Sequence, residues 1–250
     1  MPPKEPHSVV EVALKAALLV HQSGGDTTRT ETTMRRVAVA LEAERVDTMV
    51  SSLSLTLNAK LNGAFVTGMR RAPHMGVNFR VLTGMERALH SLEDGRIGME
   101  KFEELIDRLA IPRHYYPPWL IVICVGIACG GFAAMFMGDR IAIAITMLAG
   151  MAGMATRLLL VKWQFKPFIM VAGAAFVATM VTGLLKSFTE TPEIAIAACV
   201  LFLIPGVPLI NGASDLLNNN YLNAMVRLAM GTILIIGLSL GMSIALRIVN

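Results

Sequence analysis

Hydrophobic positions along this chain follow three rhythms in turn. Near the N-terminus, Val9, Val12, Ala16 and Leu19 recur at helical spacing, and that helix is expected to stop at Gly24-Gly25. Asp26 or Thr27 can cap a second helix, whose apolar face is Met34, Val37, Ala38 and Leu41. The period then shortens to two. "VDTMVSSLSLTLNA" alternates, with Leu53, Leu55 and Leu57 on one face and Val46, Thr48 and Val50 in the opposite phase. Either a bulge near Ser51-Ser52 or a strand covered on both faces would account for the slip. "NAKLNG" reads as a turn and "AFVTGMR" as the returning strand of a hairpin. Helical spacing resumes at Val77, Val81, Met85, Leu89 and Leu92, and again at Phe102, Leu105, Ile106 and Leu109. The order α-α-β-β-α-α predicts a small α+β domain over residues 1–117.

From residue 118 onward the pattern loses its polar face. Residues 118–250 are expected to form a transmembrane domain of five helices, at about 119–137, 141–161, 168–185, 194–217 and 224–248, since about 20 apolar residues span a hydrocarbon core. The fold expected is therefore an α-helical integral membrane protein, its five transmembrane helices preceded by a small cytoplasmic α+β domain. "IPRHYYPPWL" joins the two parts, with Pro117-Pro118 at the boundary. Tyr115, Tyr116 and Trp119 mark one membrane interface, and Trp163 marks the turn after the second span. Gly126xxxGly130, Ala149xxxGly153 and Gly237xxxGly241 predict close helix packing without naming a partner.

Charge supports the same division. Residues 1–117 carry 15 Lys+Arg and 14 Asp+Glu, whereas the rest of the chain carries 7 and 4. The sequence pI of about 9.1 thus reflects basic residues at span ends, and no basic stripe with interleaved aromatics points to nucleic acid. With the N-terminus inside, Arg157, Lys162, Lys166 and Arg227 lie at cytoplasmic ends, and only Arg140, Lys186 and Arg247 fall outside. The opening "MPPKEPHSVVEV" has no apolar core of signal-peptide length. Together these predict a multi-pass protein of the cytoplasmic (inner) membrane, N-terminus inside and C-terminus outside.

The fourth span carries the most unusual pattern, "LFLIPGVPLINGASDLLNNN". Helix from Ile194 to Ile204 would be about 17 Å long, which places Pro205 near the midplane. Pro205 and Pro208 cannot donate hydrogen bonds, and Gly206 lies between them. Carbonyls freed in this way must meet protein, water or a solute. If helix resumes near Leu209, then Asn211, Asp215 and Asn218 fall on one face, and the new helix points its N-terminal N–H groups at the midplane. Such a discontinuous helix suits an anionic or carboxylate-bearing solute; the alternative is a packing kink with Asp215 solvated at the cytoplasmic end. Arg157 is either a counter-charge for an anion or a snorkelling side chain. Thr179 and Thr182 either line a cavity or bond back to carbonyls four residues earlier.

Enzyme signatures are missing. There is no HExxH, Walker loop, GxGxxG after a strand, or GxSxG. His21, His74 and His90 lack metal spacing, and Cys124, Cys129 and Cys199 lie within apolar spans without CxxC spacing, so neither metal nor cofactor is expected. In "GGDTTRTE", Asp26, Arg29 and Glu31 follow a tight turn, either as ordinary helix capping or as part of a site.

Three stretches now stand together: "TPEIAIAACVLFLIPGVPLINGASDLLNNNYLNAMVRL", "YYPPWL", and "GGDTTRTETTMRRVAVAL" followed by "SSLSLTL". They resemble the threonine/serine exporter family, in its split, YjjP-like form, over nearly the whole chain. The resemblance implies ten spans in one chain or two, so five here imply a small YjjB-like membrane subunit as partner, within a higher oligomer. It singles out Pro205, Gly206, Pro208, Asn211, Asp215 and Glu31. It implies export of a small carboxylate, succinate or a related C4-dicarboxylate, while full-length members imply threonine and serine. A membrane-anchored hydrolase and an assembly scaffold are the rival readings.

Overall fold

Two glycines end the first helix. In the computed structural model, which describes residues 6–73, 76–111 and 116–249, α1 runs Pro6–Gln22. His74 and Tyr115 lie outside the described residues. Gly24 takes a left-handed φ of +92°, which favours glycine, and a Cβ on Gly25 would lie 2.7 Å from Val20 Cγ1. Asp26 caps α2 (Thr27–Ala40), its carboxylate accepting from the Arg29 N–H at 2.7 Å.

Three strands follow: β1 (Arg45–Val50), β2 (Ser54–Leu61) and β3 (Ala64–Arg71), an antiparallel sheet in chain order. The expected single strand over "VDTMVSSLSLTLNA" is thus two. Neither a bulge nor double coverage explains the phase slip; the chain turns back at Ser51–Leu53, where the Ser51 N–H donates to Ser54 O at 2.9 Å. The register pairs Val46 with Ala59, Thr48 with Leu57 and Val50 with Leu55, so residues of opposite parity share a face. Leu53, expected beside Leu55 and Leu57, sits in the turn and is 63% exposed.

Helices α3 (Phe79–Glu93) and α4 (Met99–Ala110) complete this part. Val77 lies before α3 and is exposed, because Asn78 caps the helix by accepting from the Val81 N–H. Arg36 of α2 ties α2 to α3, with Nε and Nη2 2.7 Å from the two Glu93 oxygens and Nη1 2.7 Å from Glu86 Oε1. Those Arg36 hydrogen bonds hold the Glu93 carboxyl below the usual carboxylate range. α1 is buried on more sides than the face Val9, Val12, Ala16 and Leu19 implied: Val10, Ala13, Leu14 and Ala17 are also buried. It packs on α2, on α3 and α4, and on the sheet, where a Cβ on Gly68 would lie 2.6 Å from Val10 Cγ1.

The apolar region holds α5 (Pro118–Met135), α6 (Arg140–Lys162), α7 (Pro167–Leu184), α8 (Pro192–Ala198), α9 (Gly206–Leu217) and α10 (Tyr221–Val249). Among the described residues, α5, α6, α7 and α10 are each long and apolar enough to cross a membrane; a fifth span exists only if Pro192–Leu203 and Gly206–Leu217 count as one. The chain divides into two compact units, Met1–Arg113 with Val207–Leu228, and His114–Gly206 with Ala229–Asn250.

In the second unit the small-residue pairs mark contacts within the chain. A Cβ on Gly126 would lie 2.4 Å from Met151 Cγ, bringing α5 against α6. Gly153 meets Ala178 of α7, and a Cβ on Gly241 would lie 2.1 Å from the Ala172 carbonyl oxygen, bringing α10 against α7. Asp139 staples the ends of two connections: it caps α6 through the Ile141 and Ala142 N–H groups and accepts from the hydroxyls of Thr189 and Thr191.

Candidate functional site

The break begins earlier than the prolines suggest. α8 stops at Ala198, a short 3₁₀ turn spans Leu201–Leu203, and Ile204 is extended at φ −62°, ψ 126°, as a residue before proline tends to be. Helix resumes at Gly206, not near Leu209. Pro208 therefore lies in the first turn of α9, where an N–H has no intrahelical partner, so it removes no helical bond. The interruption belongs to Pro205 and to the unwound residues before it.

Within the first unit, α9 and the start of α10 present polar groups to the turn between α1 and α2. Asn211 Nδ2 donates to the Gly24 carbonyl at 2.8 Å. The Ser214 hydroxyl lies 3.3 Å from Asp26 Oδ2. Asp215, 0% exposed, accepts from the Thr27 N–H at 3.1 Å through Oδ1. Its Oδ2 lies 3.1 Å from Arg227 Nη1, an ion pair whose angles fall short of a hydrogen bond. Arg227 Nη2 donates to the Gly25 carbonyl at 3.1 Å. Four consecutive residues, Gly24 to Thr27, thus supply three acceptors, to Asn211, Arg227 and Ser214, and one donor, to Asp215.

A second clasp lies beside it. Asn223 of α10 donates to the Val50 carbonyl at 2.8 Å and accepts from the Ser52 hydroxyl at 3.0 Å, holding the β1–β2 turn. A Cβ on Gly212 would lie 2.9 Å from Leu228 Cγ, so α9 and the start of α10 also pack closely on each other.

The physical logic is charge burial. A carboxylate taken fully out of water must be paired and hydrogen-bonded, and Asp215 meets both needs through Arg227 and the N-terminus of α2. It is not the solvated end of a kinked span. The expected stripe of Asn211, Asp215 and Asn218 is shortened: Asn218 is exposed and bonds back to Ser214 O at 2.9 Å. Ser214, Asn223 and Arg227 join the cluster without having been singled out for it. One signal was available for Arg227: it and Asp215 are the two charges between residues 194 and 246, of opposite sign.

The remaining candidates have other surroundings within their own units. Glu31 accepts from the Thr48 hydroxyl at 2.9 Å and lies 3.8 Å from Arg35; the Arg29 side chain is exposed. In the second unit, the Thr182 hydroxyl bonds back to the Ala178 carbonyl at 3.1 Å. Thr179 is fully buried, its hydroxyl without a hydrogen-bond partner among the described residues, and the Cys199 thiol lies near both threonines. Arg157 is half-buried near the end of α6, and no carboxylate pairs with it among the described residues. Among the described residues no cluster of His, Cys, Asp and Glu could hold a metal ion.

A family model described as "Putative threonine/serine exporter" matches residues 11–249. The chain belongs to the threonine/serine exporter family. Membership of this exporter family, with the apolar helices, makes it a multi-pass membrane protein of a transporter family. It is similar to the "Probable succinate transporter subunit YjjP" of Klebsiella aerogenes, 30% identical over 245 residues, which cover 97% of this chain and 94% of that protein. A protein of the same description from Escherichia coli (strain K12) is 36% identical over 136 residues, 53% of each chain. No solved structure matches the chain. Of the positions that the resemblance to this exporter family singled out, Pro205, Gly206 and Pro208 lie at the break, Asn211 and Asp215 in the cluster, and Glu31 elsewhere on α2.

Proposed function

We propose that this chain is one subunit of a secondary exporter in the cytoplasmic membrane, with its N-terminus inside and C-terminus outside, that moves a small carboxylate outward. The carrying observation is the unwound stretch from Cys199 to Pro205 followed by the N-terminus of α9. It leaves backbone groups in an apolar segment without helical partners, which a solute can meet. Pro205 and Gly206 at the break form the binding element, and the buried Thr179 hydroxyl, with Thr182, supplies polar lining. Arg157 provides positive charge for an anion. Asn211 and Asp215 seat α9, so that its N-terminus is held in place.

Succinate or a related C4-dicarboxylate is the solute this reading favours, on the names of both relatives, and "subunit" in those names supports a partner, here a small YjjB-like membrane protein. Threonine or serine is the second reading, favoured by the family description. The deciding experiment is efflux of succinate and of threonine from preloaded proteoliposomes containing this chain with and without the candidate small subunit. Succinate efflux that requires both chains is the expected result. Efflux of threonine alone selects the second reading, and no efflux of either from correctly inserted chains favours an assembly scaffold.

A further inference from the structure

The turn that seats α9 has the chemistry of an anion site of its own, additional to the binding element proposed at the break. Thr27 opens α2, a helix of 14 residues, so its N–H is among the donors that have no intrahelical partner and lies at the positive end of the helix dipole. That N–H donates to Asp215 Oδ1. Arg227 Nη1 faces Oδ2 at 3.1 Å in an ion pair without hydrogen-bond geometry. Thr27 itself is 2% exposed, and among the described residues its Oγ1 has no hydrogen-bond partner, which leaves a buried hydroxyl on the residue whose N–H meets Asp215.

A backbone N–H at a helix start, a guanidinium and a hydroxyl are groups that together recognise a carboxylate. In this conformation the carboxylate is the chain's own, carried by the helix that follows the break. It satisfies the set incompletely, since among the described residues Arg227 Nη1 and the Thr27 hydroxyl lack hydrogen bonds. The other carboxylate facing the cluster is Asp26, whose Oδ1 holds the Arg29 N–H and whose Oδ2 faces the Ser214 hydroxyl. With one guanidinium against two acids, the site accommodates one incoming carboxylate only if an internal one leaves.

We propose that the α2 N-terminus, the Thr27 hydroxyl and Arg227 form a carboxylate-binding site occupied here by Asp215, and that the carboxylate of a small organic acid exchanges with Asp215 there. Exchange releases α9 from its strongest contact and leaves the Asn211–Gly24 and Ser214–Asp26 contacts to hold it. Solute arrival is thereby coupled to the position of α9. This inference rests on the carboxylate-export reading.

The test is calorimetric titration of succinate, with acetate as the one-carboxylate probe, into the full chain in nanodiscs. Asp215→Asn keeps the shape and removes the internal competitor's charge; succinate is expected to bind about tenfold tighter than to the wild type, the worth of one charge-assisted hydrogen bond. Arg227→Gln is expected to lose binding of both probes. Asn211→Ala loosens α9 without touching the anion donors and, should Asp215→Asn fail to fold, provides a second route to tighter binding. Succinate affinity that is unchanged or weakened in folded Asp215→Asn or Asn211→Ala, or retained in Arg227→Gln, overturns the proposal. If this binding pattern holds but two-chain proteoliposomes show no efflux, the export reading fails while the site stands. Efflux without the pattern overturns the site alone.

Discussion

Replacing Arg227 with methionine puts the buried ion pair to a quantitative test. The substitution keeps an unbranched stem and removes the guanidinium that lies 3.1 Å from Asp215 Oδ2 and donates to the Gly25 carbonyl at 3.1 Å. Asp215 is 0% exposed, so it is left as a buried charge whose remaining side-chain partner is the Thr27 N–H. Removing one member of such a pair costs about 3–5 kcal/mol, most of it the stranded charge and not the lost attraction. Asp215→Asn should be milder, about 1–3 kcal/mol, because Arg227 keeps its bond to Gly25 and its side chain is 14% exposed. The double variant removes both charges and should lose less than the sum of the single changes, with a coupling of about 1–3 kcal/mol. Amide hydrogen exchange at α9, in the full chain in nanodiscs, reads the free energy of undocking; amides of α3 and α4 serve as the internal reference. A loss below about 1 kcal/mol for Arg227→Met, or additivity within about 0.5 kcal/mol, would refute the view that burial makes this pair interdependent.

Two further outcomes follow from the second unit. The Thr189 hydroxyl, with help from Thr191 and the Ala142 and Ile141 N–H groups, holds the Asp139 carboxyl down at about 2, below the value of about 3.9 for an unfolded chain. Because the folded value is depressed, its contribution should be whole above about pH 4 and lost as pH falls toward about 2; Asp139→Asn should abolish this acid limb in thermal-stability measurements, and parallel curves for variant and wild type would count against it. Gly241→Ala places a methyl 2.1 Å from a backbone oxygen of α7 that cannot move aside by changing rotamer, so a loss of about 1–3 kcal/mol and less monodisperse protein on size exclusion are expected. Gly131→Ala, with nothing within 4 Å of its Cβ, should leave that profile unchanged.

Local pattern carried much of the architecture. The capping role of Asp26, the buried faces of α2 and α3, and the ends of α5, α6 and α7 to within two residues follow from side-chain period, turn residues and apolar length. These properties are decided by neighbours a few residues away, through helical spacing and the reach of a cap. Even the break in the fourth apolar segment was visible, because Pro205 lacks a donor wherever it stands. Its extent was not, since the unwinding from Cys199 involves residues with no intrinsic objection to helix.

Tertiary structure alone decided what the polar residues do. The parity slip around Ser51–Leu53 has one meaning in a bulged strand and another in a hairpin, and only the pairing of Val50 with Leu55 chooses between them. Asp215 shows the same limit more sharply. Its type and position announced a costly charge in an apolar stretch, but its partners are the Thr27 N–H, 188 residues earlier in the chain, and an arginine on the next helix. A buried polar group must be satisfied by whatever the fold brings within about 3 Å of it, and that distance is set by packing, not by sequence separation.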